Sequence, residues 1–91
     1  MQNIDEILKK RIQEQLAPAQ IIDVISEEAE GYDGDPILNI TVVFKAENDR
    51  LDPEKVVGLV GHLRPTLRKL KLDRFPIPYF MTPEEAEYAT A

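Results

Sequence analysis

Near the start of the chain, Ile4, Ile7, Leu8, Ile12 and Leu16 recur at helical spacing, with Lys9, Lys10, Arg11 and Glu14 on the outer side. Asn3 and Glu6 have the spacing of a capping box, and Pro18 stops the pattern. This predicts a helix over about 3–16. Residues 20–28 are rich in β-branched side chains and read as a strand whose end runs into water. Glu30 to Pro36, with Gly31 and Gly34, reads as a turn. Beyond it Leu38, Ile40, Val42 and Phe44 alternate with Asn39, Thr41, Val43 and Lys45. That period of two predicts a second strand and an antiparallel hairpin. The face carrying Asn39, Thr41 and Lys45 is expected to be solvated.

Glu47 to Leu51 is a polar connector. Asp52-Pro53-Glu54 then opens a helix, with Asp52 as N-cap and Pro53 at the first helical position. Val56, Val60, Leu63, Leu67 and Leu70 give this helix an apolar face over about 53–71. Pro65 cannot donate to the Gly61 carbonyl, and Gly58 and Gly61 weaken the same region. A kink near 61–65, or two helices meeting there, is expected. In the last strand, 75–81, Phe75, Ile77, Tyr79 and Met81 share one face, while Pro76 and Pro78 mark it as an edge strand. Thr82-Pro83-Glu84-Glu85 is a second capping box and starts a short acidic helix, expected to be a frayed tail over about 83–91. The predicted architecture is therefore a single α+β domain over 1–91, of order α-β-β-α-(kink)-α-β with a short C-terminal helix. Helices cover one face of its three-stranded sheet.

Composition narrows the function classes. The 91 residues are 43% hydrophobic, enough for one small core, and carry 11 basic against 17 acidic groups for a net charge of −6. That balance argues against a general polyanion binder. No cysteine is present, which removes disulfides, thiolate metal sites and thiol nucleophiles and fits a cytoplasmic protein. Residues 1–6 show no basic region leading into an apolar core, so no signal peptide is expected. The longest apolar run, Ile40 to Phe44, has strand length, so no membrane span is expected.

The element order is similar to the type II KH fold, and the nearest family resemblance is to ribosome-binding factor A, small bacterial proteins that bind the small ribosomal subunit during its maturation. The stretch from Gly61 through Leu63-Arg64, Arg68-Lys69-Leu70-Lys71 and Arg74-Phe75-Pro76 resembles that family's kink and second helix running into the last strand. Gly58-Leu59-Val60-Gly61 also has the spacing of the GxxG loop with which KH domains grip a nucleic-acid backbone. The resemblance implies a bacterial, cytoplasmic, non-enzymatic module that contacts RNA or a ribosomal particle through residues 58–74. Gly58 and Gly61 would admit the backbone, and Arg64, Arg68, Lys69 and Lys71 would supply charge. The chain departs from the pattern in its acidity, in His62 where an apolar residue is expected, and in Pro65.

The residues themselves leave two binding modes open. Arg64, Arg68, Lys69, Lys71 and Arg74 stand against one acid, Asp73, in 64–74. They form either a phosphate-binding stripe or a solvated helix end where cations favour the dipole. Glu27, Glu28, Glu30, Asp33 and Asp35 bunch around the hairpin turn and suit a basic protein partner or a plain solubilising turn. They lack the further ligands and closing glutamate of a calcium loop. The edge strand 75–81 is a third surface, able to accept a partner strand or form a homodimer, although its prolines also protect an edge. His62 is the only histidine, and nothing places a nucleophile beside it or surrounds it with zinc ligands, so neither catalysis nor a metal or other cofactor is expected. Two readings follow: an RNA-contacting module, and an acidic protein–protein adaptor, monomeric or homodimeric. Charge geometry separates them. Arg64, Arg68 and Lys71 on one exposed face favour RNA; the same groups paired with Glu54, Asp73 or the C-terminal acids favour the adaptor.

Overall fold

A computed structural model describes residues 3–90. Helix α1 (Ile4–Leu16) begins where Asn3 Oδ1 accepts the Asp5 amide at 2.9 Å, and it buries Leu8, Ile12 and Leu16. The chain turns through a cis Ala17–Pro18 bond into β1 (Gln20–Glu30), which pairs antiparallel with β2 (Pro36–Lys45). Pairing continues to Glu30↔Pro36, beyond the apolar part of β1. The overhanging side chains Glu27, Glu28 and Glu30 stay in water, so the ladder needs no apolar residue there. A short turn at Glu47–Asp49, with Asn48 and Asp49 both at positive φ, leads to α2 (Pro53–Lys69). Asp52 caps α2 by accepting the Glu54 amide at 3.0 Å, with Pro53 opening the helix. β3 (Phe75–Met81) then pairs parallel with β2, giving the order β1-β2-β3. Parallel pairing requires a crossover, and α2 supplies it. α3 (Pro83–Thr90) starts at a complete capping box: the Thr82 amide donates to Glu85 Oε1 at 3.0 Å and the Glu85 amide to Thr82 Oγ1 at 3.3 Å. Where a frayed tail over about 83–91 was expected, the structure has a helix over Pro83–Thr90; Ala91 lies outside the described residues.

The architecture is α+β, with α1 and α2 packed on one face of the sheet. Leu8, Ile12 and Leu16 of α1 meet Leu59, Leu63 and Leu67 of α2 over Val24, Leu38, Ile40 and Val42. Leu59 was not among the expected core positions, yet it is fully buried one helical turn before Leu63. Val56, Val60 and Leu70 are only half-buried. A Cβ at Gly58, an exposed position, would lie 3.1 Å from the Nε2 of Gln15, which donates to the Lys55 carbonyl. The chain crosses 61–65 as one helix rather than two. Pro65 lies on its exposed side, where the carbonyl left unbonded by the missing N–H can be met by water.

The other sheet face is largely open, as expected, but it is more apolar than expected and is buried at Val43. The register aligns Asp23–Val43–Met81, Ile25–Thr41–Tyr79, Glu27–Asn39–Ile77 and Ala29–Ile37–Phe75 as four rows across it. Phe75, Ile77, Tyr79 and Met81 do share a face, and it is this outer one; Pro76 and Phe80 turn to the core. α3 contacts β2 and β3, and Val43 is buried although it belongs to the outer face. The remainder of the face is open, with Ile25, Phe75 and Tyr79 about half exposed.

Both sheet edges are protected. Along β1, three amides are satisfied by side chains in place of a strand. Ile21 N–H donates to Gln13 Oε1 at 2.9 Å, Val24 N–H to Asp23 Oδ1 at 2.9 Å, and Ser26 N–H to Asp5 Oδ1 at 3.0 Å. Ser26 Oγ donates to the same carboxylate. A bulge between Ile21 and Asp23 interrupts the strand as well. Along β3, Pro76 and Pro78 share one parity, so the ladder to β2 runs through the alternate residues and the outer edge lacks a donor at both prolines.

Candidate functional site

An open cleft of about 880 Å³ lies between the C-terminal half of α2, the α2–β3 connection and the hairpin turn. Its first wall is built from helix periodicity. Arg64 and Arg68 are one turn apart on α2, and Lys71 joins them because the helix ends in a Schellman turn. There the Leu72 amide donates to the Leu67 carbonyl at 2.9 Å and the Lys71 amide to the Arg68 carbonyl at 3.0 Å. This turn needs a left-handed residue after the last helical one, and Lys71 occupies that place at φ 59°. Leu72 folds back beside Leu67, and the two form an apolar floor with Ile37 and Phe75. The Arg64 guanidinium carbon lies 5.8 Å from the centre of the Phe75 ring, within cation–π range.

The opposite wall is the turn itself. The Gly31 amide donates to Asp35 O at 2.7 Å and the Gly34 amide to Gly31 O at 2.9 Å, with Gly34 at φ 82°. This closes a tight loop that presents Tyr32, Asp33 and Asp35 to the cleft. Arg74 joins the walls at their base. Its Nη1 donates to the Ala29 carbonyl at 2.8 Å and the Ile37 carbonyl at 3.2 Å, and its Nε lies 3.7 Å from Glu28 Oε1. Arg74 is thereby committed to the strands.

Residues from both patches that the sequence offered as rivals thus line one cleft. Arg64, Arg68 and Lys71 share an exposed wall, and no ion pair involves them among the described residues. Lys69 is exposed but does not line the cleft. Gly58 and Gly61 sit inside α2 rather than in a loop, and neither lines the cleft. A Cβ at Gly58 would press on the Gln15 side-chain amide, and one at Gly61 would meet nothing within 4 Å. The helical assignment across these glycines therefore replaces the expected gripping loop.

Of the five acids placed around the turn, only Asp33 and Asp35 reach the cleft; Glu27, Glu28 and Glu30 belong to β1, and Glu28 is paired with Arg74. His62 is half-buried, and its Nε2 is buried without a hydrogen-bond partner among the described residues. Sequence reasoning missed the apolar floor: Leu67 and Leu70 read as core, and Leu72 carried no signal that a Schellman turn would fold it back. Comparison with protein-family models, curated proteins and solved structures finds no match to this chain. The fold and cleft define an α+β domain with two helices over a mixed sheet and a groove of opposed charge at one end. No helix among the described residues is long and apolar enough to cross a membrane.

Proposed function

We infer that the chain is a non-enzymatic, cytoplasmic binding module that holds an extended segment of a protein partner in the cleft between α2 and the hairpin turn. The observation that carries this reading is the meeting in one cleft of Arg64, Arg68 and Lys71 with Asp33, Asp35 and Asp73 and with apolar side chains. A peptide brings charges of both signs with apolar side chains between them, so it can use all three surfaces. A polyanion on the basic wall meets the acidic wall as well, on a chain of net charge −6. The strained backbone at Lys71 adds support: a lysine stands where glycine would be relaxed, and its side chain lines the cleft.

A second reading, RNA or a ribosomal particle on Arg64, Arg68 and Lys71, draws on the absence of ion pairs at those cations among the described residues. The sign of one substitution separates the two. The double variant Asp33→Asn, Asp35→Asn is expected to lose a protein captured from nuclease-treated host lysate, as is Arg68→Gln, Lys71→Gln. Tighter binding of a short ribosomal RNA fragment by the aspartate variant than by the parent, weakening steeply with salt, overturns the protein reading in favour of RNA.

A further inference from the structure

We propose that the partner segment in the cleft presents to α2 an aromatic side chain with an acidic neighbour, and that Arg64, Arg68 and Phe75 are the residues that select it. This rests on the reading of the cleft as a site for a protein segment, whose chemistry it specifies. Arg64 and Arg68 lie one turn apart on α2, both exposed, and Lys71 follows just past the helix end. The three side chains make no ion pair and no hydrogen bond among the described residues. Like charges four apart on a helix repel, so the arginine pair works against the helix until an anion joins it. The helix end explains part of the charge, since cations in the last turn, here Arg68 and Lys69, favour the dipole. Arg64 lies more than one turn from that end, beyond the reach of this effect. Its guanidinium carbon lies 5.8 Å from the centre of the Phe75 ring.

The acids of the cleft stand differently. Asp33 and Asp35 flank Gly34 in the hairpin turn, where aspartate has a local use, so the turn accounts for them without a ligand. Together with Asp73 they also limit how much negative charge a ligand can bring. A run of phosphates would meet three carboxylates, whereas a single carboxylate seated on the two arginines keeps its charge local. A guanidinium that lies over a ring keeps its N–H donors in its own plane, and a carboxylate accepts two of them side by side. The neighbour of that acid is set by the aromatic surface beside it. Phe75 is 51% exposed, Tyr32 is fully exposed, and both line the cleft. An aromatic side chain next to the bound acid would cover the open part of the Phe75 ring. Aromatic and arginine side chains are also the types that contribute most to protein interfaces. A basic group elsewhere on the same segment would serve Asp33 and Asp35.

The probe is a blocked peptide of about eight residues, ~27 Å when extended, with a central phenylalanine flanked by glutamates. It is titrated into the ¹⁵N-labelled full chain beside three matched peptides: glutamine-flanked, lysine-flanked, and glutamate-flanked with alanine for phenylalanine. The glutamate–phenylalanine peptide is expected to shift the amides of Arg68, Leu72 and Phe75, and each matched peptide to bind at least about tenfold more weakly. Arg64→Gln with Arg68→Gln, both at exposed positions, is expected to weaken the first peptide by about tenfold as well. The peptide series needs no variant, so it decides the matter even if that variant does not fold. Equal or tighter binding of the lysine-flanked or glutamine-flanked peptide at the same amides overturns the acidic anchor and leaves the cleft a site for a protein segment. Equal binding of the alanine peptide overturns the aromatic anchor in the same way. Binding to none of the four, or shifts confined to residues outside 31–37 and 64–77, also overturns the proposal, while the capture from lysate still judges the protein reading by itself. Parent amides over 64–75 that shift with protein concentration would make a second copy of the chain the occupant and overturn it too.

Discussion

Replacing Lys71 by glycine is expected to stabilise the protein while removing a charge from its cleft. Lys71 holds φ at 59° to close the turn that follows α2. In that conformation a Cβ crowds the following carbonyl at a cost of about 1–2 kcal/mol, which glycine avoids. Glycine also gives the unfolded chain more freedom, an opposing term of about 0.4–1 kcal/mol. The balance is a gain of about 0.5–1 kcal/mol, which for a domain of this size raises Tm by about 2–8 °C. The Lys71 side chain is exposed and forms no ion pair among the described residues, so little else is lost with it. Lys71→Ala is the matched control, because it removes the same charge and length but keeps the Cβ. Urea unfolding followed by circular dichroism, with unchanged slope, gives both free energies. Lys71→Gly above Lys71→Ala by about 0.5 kcal/mol or more is the expected result. Equal stabilities would refute the strain argument, and with it the support that Lys71 lends to the cleft as a working surface.

Three further outcomes follow from the packing. Gly61→Ala is expected to stabilise by up to about 1 kcal/mol, since its Cβ meets nothing, whereas Gly58→Ala gains less or loses stability against Gln15; equal effects in urea would contradict the assigned helix contact. Asp5→Ala is expected to cost about 1–3 kcal/mol by freeing the Ser26 amide and hydroxyl, and to raise light scattering on heating as the β1 edge opens; a variant as stable and as soluble as the parent would show that the edge is protected by something else. His62→Leu removes a buried nitrogen that has no partner, so it is expected to be neutral or stabilising by up to about 1 kcal/mol; a loss above about 2 kcal/mol would mean that Nε2 has a partner in solution.

The elements were legible wherever one residue type has one physical use. Asp52-Pro53 opened α2 and Thr82 with Glu85 opened α3, because a cap needs a side-chain acceptor at a fixed offset. β3 came out over 75–81 as read, because alternating prolines admit only one parity of pairing. The site was half legible. Arg64, Arg68 and Lys71 were found by helical spacing, which is local. That Asp33 and Asp35 stand opposite them depends on the parallel pairing of β3 with β2, and no local signal encodes which strand β3 joins. Glu27 and Glu28 were read as the end of the first strand, but Ala29 and Glu30, left outside it because acids disfavour strands in general, belong to it as well; on an exposed edge strand that preference has little force. Two glycines three apart suggested a loop, yet the apolar positions around them, Leu59 and Leu63, carry the helix through.

The crossover from β2 through α2 to β3 also sets an order of assembly. α1, β1 and β2 contact near neighbours in sequence, and those contacts can form as soon as residue 45 is available. β3 must wait for the whole of α2 and then insert beside a strand made about thirty residues earlier. Arg74, which ties the hairpin ends to the base of the cleft, arrives with it. During vectorial synthesis the helices and hairpin can thus form on a chain that has no cleft, and a chain stopped before Phe75 would carry both charged patches without the geometry that opposes them. The cleft is thus a property of β3, acquired only when that strand joins β2.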